Sequence, residues 1–253
     1  MPIIELSARQ VYYDELLAAT SKGTIIFVHG SGGTGLVWRE QMKALSQDWD
    51  CVSIDLPGHG NSSPPACSSV SEAATLIKTF IKEKPLQKPL YLVGHSLGAA
   101  ITLHYARYFS ENLAGFILIG GGAKLKVLPQ VLESLAKGEI NDAFTRIAFS
   151  PHSDPALIEA EVKVYMQNSS AVLLAGLNAC NDFNLTDELA AINLPALLIV
   201  GTDDVLTPVK YAEFLKNHLP DAILEILEAA GHFAMLEKPV AVNEAMVNFI
   251  NKI

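Results

Sequence analysis

The pentad Gly94-His95-Ser96-Leu97-Gly98 sets one hydroxyl between two glycines, directly after the apolar run 90–93 and directly before the helical stretch 97–109. A serine hydroxyl becomes a nucleophile only when it is exposed, held in place and relieved of its proton by a base. A tight strand-to-helix turn would present Ser96 at the C-terminal edge of a sheet, with strained backbone at that residue. Side chains two positions to either side would collide in such a turn, so glycines at 94 and 98 are what its geometry requires. The chemistry this predicts is attack on a carbonyl carbon.

The serine needs a base, and the base needs an orienting acid. With this kind of turn they follow in the order serine, then Asp or Glu, then His. Gly201-Thr202-Asp203-Asp204-Val205-Leu206-Thr207-Pro208 comes directly after the apolar run 196–200, so Asp203 or Asp204 would stand at the same edge as Ser96. Gly231-His232-Phe233 follows the run 223–227, and His232 would overhang that edge as well. Taken alone, His232 reads as a solvent-facing loop histidine. Three separated segments converging on one edge favour it as the base. His29, His59 and His95 come too early in the chain for the base. His104, His152 and His218 read as solvent-facing or packed.

Acyl transfer also builds negative charge on the carbonyl oxygen, which two converging backbone N–H groups stabilise. One should come from Leu97. The other should come from the glycine-rich Val28-His29-Gly30-Ser31-Gly32-Gly33, whose small residues let the main chain approach a substrate.

These residues meet only if the elements around them alternate. Short apolar runs at 24–28, 51–54, 90–93, 116–119, 196–200 and 223–227 are bounded by Gly, Pro or Asp and read as buried parallel strands. Amphipathic stretches at 36–45, 71–84, 97–109, 209–219 and 240–250 read as the crossover helices. The pattern predicts an α/β fold, a mostly parallel central sheet with helices on both faces. Residues 3–6 and 11–13 add an antiparallel edge hairpin. Between 124 and 186 no strand pattern occurs. Helical patterns at 128–135, 141–147, 155–166 and 171–180 replace it, one opened by Asp154 as cap and Pro155 in the first turn. We expect a single domain with its core at 1–123 and 187–253, and a helical lid inserted at 124–186. Val164, Met166, Val172, Leu173, Leu174 and Leu177 should pack on the core, one or two of them lining a pocket.

His29-Gly30, Asp55-Leu56-Pro57-Gly58-His59-Gly60, Gly94-His95-Ser96-Leu97-Gly98, Gly201-Thr202-Asp203-Asp204 and Gly231-His232 together resemble the α/β-hydrolase fold family, in particular its small lid-bearing serine hydrolases, an esterase, C–C hydrolase and lyase-like group. The resemblance spans the chain, with only the lid unmatched. It implies Ser96 as nucleophile, His232 as base and Asp204 as acid. Asp204 is favoured over Asp203 because the family's acid usually lies three residues after the glycine and four before a proline, as Asp204 does relative to Gly201 and Pro208. The resemblance also implies the Ser31 N–H as second oxyanion donor beside Leu97, and a structural role for the Asp55 loop. The implied activity is cleavage of a carboxylic ester, or a related acyl bond, of a small, partly hydrophobic substrate. C–C cleavage and lyase-like chemistry use the same triad.

Two readings compete. Gly30-Ser31-Gly32-Gly33-Thr34-Gly35 also fits a dinucleotide fingerprint, with Asp55 where a ribose-binding acid would be, which would make the chain an NAD(P)-binding oxidoreductase. That reading leaves the other motifs unexplained. A non-catalytic ligand receptor could keep the same fold and residues. Bulk properties narrow the rest. Half of the 253 residues are hydrophobic and only 18% are charged, which excludes disorder. A formal net charge of −9 disfavours nucleic acid and anionic membrane as partners and leaves a small-molecule substrate. No cofactor is expected, and no metal site, since no His-Glu-x-x-His or zinc-spaced Cys/His cluster occurs. Three cysteines without CxxC spacing, and no signal-peptide pattern, suggest a cytoplasmic protein.

Overall fold

In the computed structural model, which describes residues 2–6 and 8–253, one eight-stranded sheet runs through the molecule. Its strands are β1 (Ile3–Leu6), β2 (Arg9–Leu16), β3 (Thr24–Val28), β4 (Asp50–Ile54), β5 (Leu90–His95), β6 (Gly115–Ile119), β7 (Ala196–Gly201) and β8 (Ala222–Leu227). They lie in the order β1-β2-β4-β3-β5-β6-β7-β8. β1 and β2 pair antiparallel, and β2 pairs antiparallel with β4, as the hairpin expectation required. The other neighbours are parallel.

The inner parallel strands β3 to β7 are buried on both sides, which is why they read as continuous apolar runs, whereas β8 at the edge is half-exposed. Alternate residues feed two cores. Ile26, Val28, Leu92, Phe116, Leu118 and Leu198 face helices α2 (Val70–Glu83) and α3 (Leu97–Tyr108). Ile25, Phe27, Val93, Ile117, Ile119 and Leu197 face Trp38, α1 (Arg39–Leu45) and residues 239–250. The helical pattern at 36–45 divides into a 3₁₀ turn, Gly35–Trp38, and then α1.

Between β6 and β7 the chain makes α4 (Pro129–Ala136), α5 (Ala143–Arg146), α6 (Pro155–Met166) and α7 (Ser170–Asp182), then a 3₁₀ turn, Thr186–Ala191. Asp154 caps α6 by accepting from the Ala156 N–H at 2.8 Å. α8 (Val209–His218) crosses from β7 to β8, and α9 (Ala234–Glu237) and α10 (Pro239–Ile250) close the chain. No helix of the described residues is long and apolar enough to cross a membrane.

The strand order reverses at β3, which has β4 on one side and β5 on the other. Loops leaving two such strands diverge and open a crevice beyond their C-terminal ends. His29–Gly33 and Ser96 flank that crevice.

Candidate active site

Ser96 sits between β5 and α3 with φ +53° and ψ −113°, a region that non-glycine residues enter only under strain. Its N–H donates to Ile119 O at 3.1 Å, and its carbonyl accepts from the Ala100 N–H at 3.1 Å. A side chain at Gly94 would overlap the carbonyl of Gly98, and one at Gly98 would overlap that of Val28. The glycine spacing is therefore imposed by main chain packed on main chain. Ser96 itself is partly exposed.

The loop after β3 lies against this turn. A Cβ on Gly30 would stand 2.9 Å from His95 Nδ1 and 3.1 Å from Ser96 Cβ. Among the described residues, neither the Ser31 nor the Leu97 N–H has a backbone or side-chain acceptor. Asn168, beyond α6, donates to Gly32 O at 2.9 Å and ties the loop to the helices above it.

Of the two acids, Asp204 reaches the histidine. Its Oδ2 accepts from His232 Nδ1 at 2.8 Å and from Thr207 Oγ1 at 2.7 Å, and its Oδ1 accepts from the Leu206 and Thr207 N–H groups at 2.9 and 2.8 Å. Burial raises the Asp204 carboxyl pKa, but the adjacent His232 and the Thr207 hydrogen bonds outweigh it and leave the pKa below the ordinary carboxylate value. Asp203 turns the other way and accepts from Ser150 Oγ at 2.6 Å.

The His232 loop is anchored from several directions. Its N–H donates to Ala148 O at 2.6 Å, and its carbonyl accepts from His95 Nε2 at 3.0 Å. The Glu237 carboxylate accepts from the Gly231 and Ser150 N–H groups, both at 2.9 Å, joining the loop to the segment between α5 and α6. No hydrogen bond among the described residues joins Ser96 to His232, yet both line the same two cavities. Such a bond commonly tightens only with substrate in place.

The two cavities meet at Ser96 and His232 and differ in size. One is narrow, about 50 Å³, between the Gly30–Gly33 loop and Phe144, Glu161 and Tyr165. The other is about 780 Å³, walled by Val127, Val131, Phe144, Leu177 and Tyr211, with Lys126 and Lys210 at its border. Of the apolar residues expected to contribute, Leu177 lines both cavities and Leu173 is buried, whereas Met166 is 44% exposed.

The remaining histidines are held in structure. His29 donates from Nδ1 to Gly30 O at 2.7 Å and accepts the Leu56 N–H at Nε2, and full burial lowers its pKa to about 4. His59 is lowered to about 3, mainly by burial and then by its neighbour His29. Burial, reinforced by His232, keeps His95 well below its ordinary value.

The dinucleotide reading fails on Asp55. Both carboxylate oxygens are occupied, Oδ1 by the Gly35 N–H at 2.7 Å and Oδ2 by the Asn61 N–H at 2.9 Å. Asp55 fastens two loops and, at 3% exposure, lies out of reach of a ribose. Among the described residues no cluster of three or more His, Cys, Asp or Glu side chains is arranged to hold a metal ion.

Sequence reasoning missed Thr207, Glu237 and Glu161, and it read His95 only as a failed base. Thr207 had a local signal, since a hydroxyl three residues after an Asp in a turn commonly closes back on it. Glu237 and Glu161 had none.

A family model described as alpha/beta hydrolase fold matches residues 23–239. Among curated proteins the chain is similar to the pimeloyl-[acyl-carrier protein] methyl ester esterase of Vibrio atlanticus, 27% identical over 249 residues, covering 90% of this chain and 94% of the relative. Among solved structures it resembles a thermophilic esterase, at a TM-score of 0.87 and 31% identity, covering 99% of this chain and 97% of the other. A lipase-esterase related protein from Clostridium acetobutylicum superposes at a TM-score of 0.84 with 28% identity, covering 94% of this chain and 99% of the other.

Proposed function

The chain belongs to the α/β-hydrolase fold family, and we propose that it is a serine esterase in which Ser96, His232 and Asp204 form the catalytic triad. The esterase relatives support an enzyme acting on esters. The observation that carries the triad is the buried His232–Asp204 contact of 2.8 Å at the rim that Ser96 shares.

The reaction runs in two steps. Ser96 Oγ attacks the ester carbonyl as His232 Nε2 takes its proton. Asp204 accepts from Nδ1, which fixes the tautomer and stabilises the imidazolium. The oxyanion accepts from the Leu97 and Ser31 N–H groups, which have no other acceptor here. The alcohol leaves with the proton from His232. Water, deprotonated in turn by His232, attacks the acyl-enzyme and frees the acid. No cofactor enters the scheme.

The helices of 124–186 serve as the lid, and their apolar side chains favour a substrate with a hydrophobic limb. The Vibrio atlanticus relative is a methyl ester esterase, which supports an ester as the substrate. Cys51, Cys67 and Cys180 are unpaired, which suits a reducing, cytoplasmic setting.

Ser96→Ala tests the proposal. It should abolish turnover of a p-nitrophenyl ester and labelling by a fluorophosphonate probe while the melting temperature stays near wild type. Wild-type turnover by this variant would refute it.

A further inference from the structure

Resting on the esterase reading, one acidic side chain sharpens the substrate class. Glu161 lies on α6 and forms part of the wall of the narrow cavity that ends at Ser96 and His232. The same cavity is lined by apolar Val37, Phe144 and Phe233 and by the hydroxyl-bearing Ser31, Thr145 and Tyr165. Among the described residues its carboxylate makes no hydrogen bond, and the charge it feels is that of Arg39. Burial raises its pKa, and Arg39, which opposes that, is itself turned toward Glu40 at 3.5 Å. The other titratable groups on this cavity are His29, His95, His232 and Tyr165, and the first three are committed to hydrogen bonds.

Glu161 is half-buried, and an acceptor on a cavity wall with no protein donor is open to one carried in by a bound molecule. At about 50 Å³ the cavity admits only a few non-hydrogen atoms. Whatever limb enters it must come within contact distance of Glu161. The large limb has the 780 Å³ compartment to itself.

We propose that Glu161 is a specificity-determining residue: it accepts a hydrogen bond from a hydroxyl or ammonium group on the small limb of the ester and rejects a small limb that ends in a carboxylate. A donor on the limb gives the carboxylate the partner the protein withholds. A second carboxylate would bring like charges together in the narrow cavity, which is unfavourable.

The test uses the full-length protein and two ester series, because either the alcohol or the acyl side can be the small limb. The first series is 2-hydroxyethyl, ethyl and carboxymethyl octanoate. The second is octyl glycolate, octyl propionate and the octyl half-ester of malonic acid. In one series kcat/KM should rank hydroxyl above alkyl above carboxylate, with the carboxylate member on the order of 100-fold below the alkyl one. Glu161→Gln should shrink that gap to a few-fold, and Glu161→Leu should remove the hydroxyl preference. Each ratio is taken within one variant, which cancels the fraction folded, and comparing the ratio between wild type and variant cancels each ester's intrinsic reactivity.

The inference is overturned if neither series discriminates, or if Glu161→Gln leaves the ratios unchanged while Ser96→Ala is inactive. Full activity in Ser96→Ala, or no turnover of any of the six esters by the wild type, would instead bring down the esterase reading itself.

Discussion

The ring of His95 donates from Nε2 to the carbonyl oxygen of His232 across 3.0 Å, with the ring centroids 4.7 Å apart. The residue before Ser96 thereby holds the main chain of the histidine that lines both cavities with Ser96, although 137 positions separate His95 from His232. Both residues are buried, so the carbonyl has no water to turn to. His95→Leu keeps bulk but orphans that oxygen, at an expected cost of about 1–3 kcal/mol in folding stability. Urea denaturation measures it, and an unchanged midpoint would show that the contact contributes nothing.

Asp204 and Asp203 are adjacent but do different work. Asp204→Asn retains a group that can accept from Leu206 and Thr207, but its amide no longer favours the Nδ1–H tautomer of His232. Turnover should fall by about 10⁴. Asp203→Asn disturbs the bonds from Ser150 and Thr202, neither of which reaches His232, and should lose a small fraction of that. Steady-state kinetics on one ester separates them, and the reverse ranking would displace Asp204 from its proposed role.

Gly98 is a purely steric constraint. Its missing side chain makes room for the carbonyls of Val28 and His29, the latter 2.7 Å from where a Cβ would sit. Gly98→Ala should cost about 3 kcal/mol, the upper part of the range for overpacking, and push the His29–Gly33 loop away from Ser96. Both a lower melting temperature and a lower kcat are expected. A variant equal to wild type in both would mean that the turn has slack.

Acid should destabilise the fold through His29 and His59. Their ordinary pKa is 6.5, and in the folded chain they lie at about 4 and about 3. Below pH 6.5 the unfolded chain takes up protons that the folded one refuses, so stability falls with falling pH until each folded pKa is reached. The slope is about 1.4 kcal/mol per pH unit for each such histidine. His59→Asn preserves a donor near Pro57 O and, because His29 and His95 stay depressed, should remove roughly a third of the loss between pH 6 and pH 5. Identical acid profiles for variant and wild type would exclude His59 as a cause.

The fold was legible because its signals are local. Apolar runs bounded by Gly, Pro or Asp located the parallel strands to within a residue or two, and Asp154-Pro155 marked the start of α6. The region from 36 to 45 was blurred, since a 3₁₀ turn and an α-helix share one amphipathic pattern over so few residues. Asp55 was ambiguous for a similar reason: a carboxylate after a strand can serve a ribose or two main-chain N–H groups, and only the neighbours decide.

By itself the sequence determined the serine turn, the alternation that builds the sheet, and the order of serine, acid and histidine along the chain, because each follows from residue type and spacing. Only the tertiary structure decided which aspartate meets His232, that His95 and Glu237 brace the His232 loop, and that two unequal cavities meet at Ser96 with Glu161 beside the smaller. Those relations join residues far apart in the chain. A hydrogen bond or cavity wall made across such separations depends on how the sheet and helices pack, and it leaves no period or composition for a sequence to display.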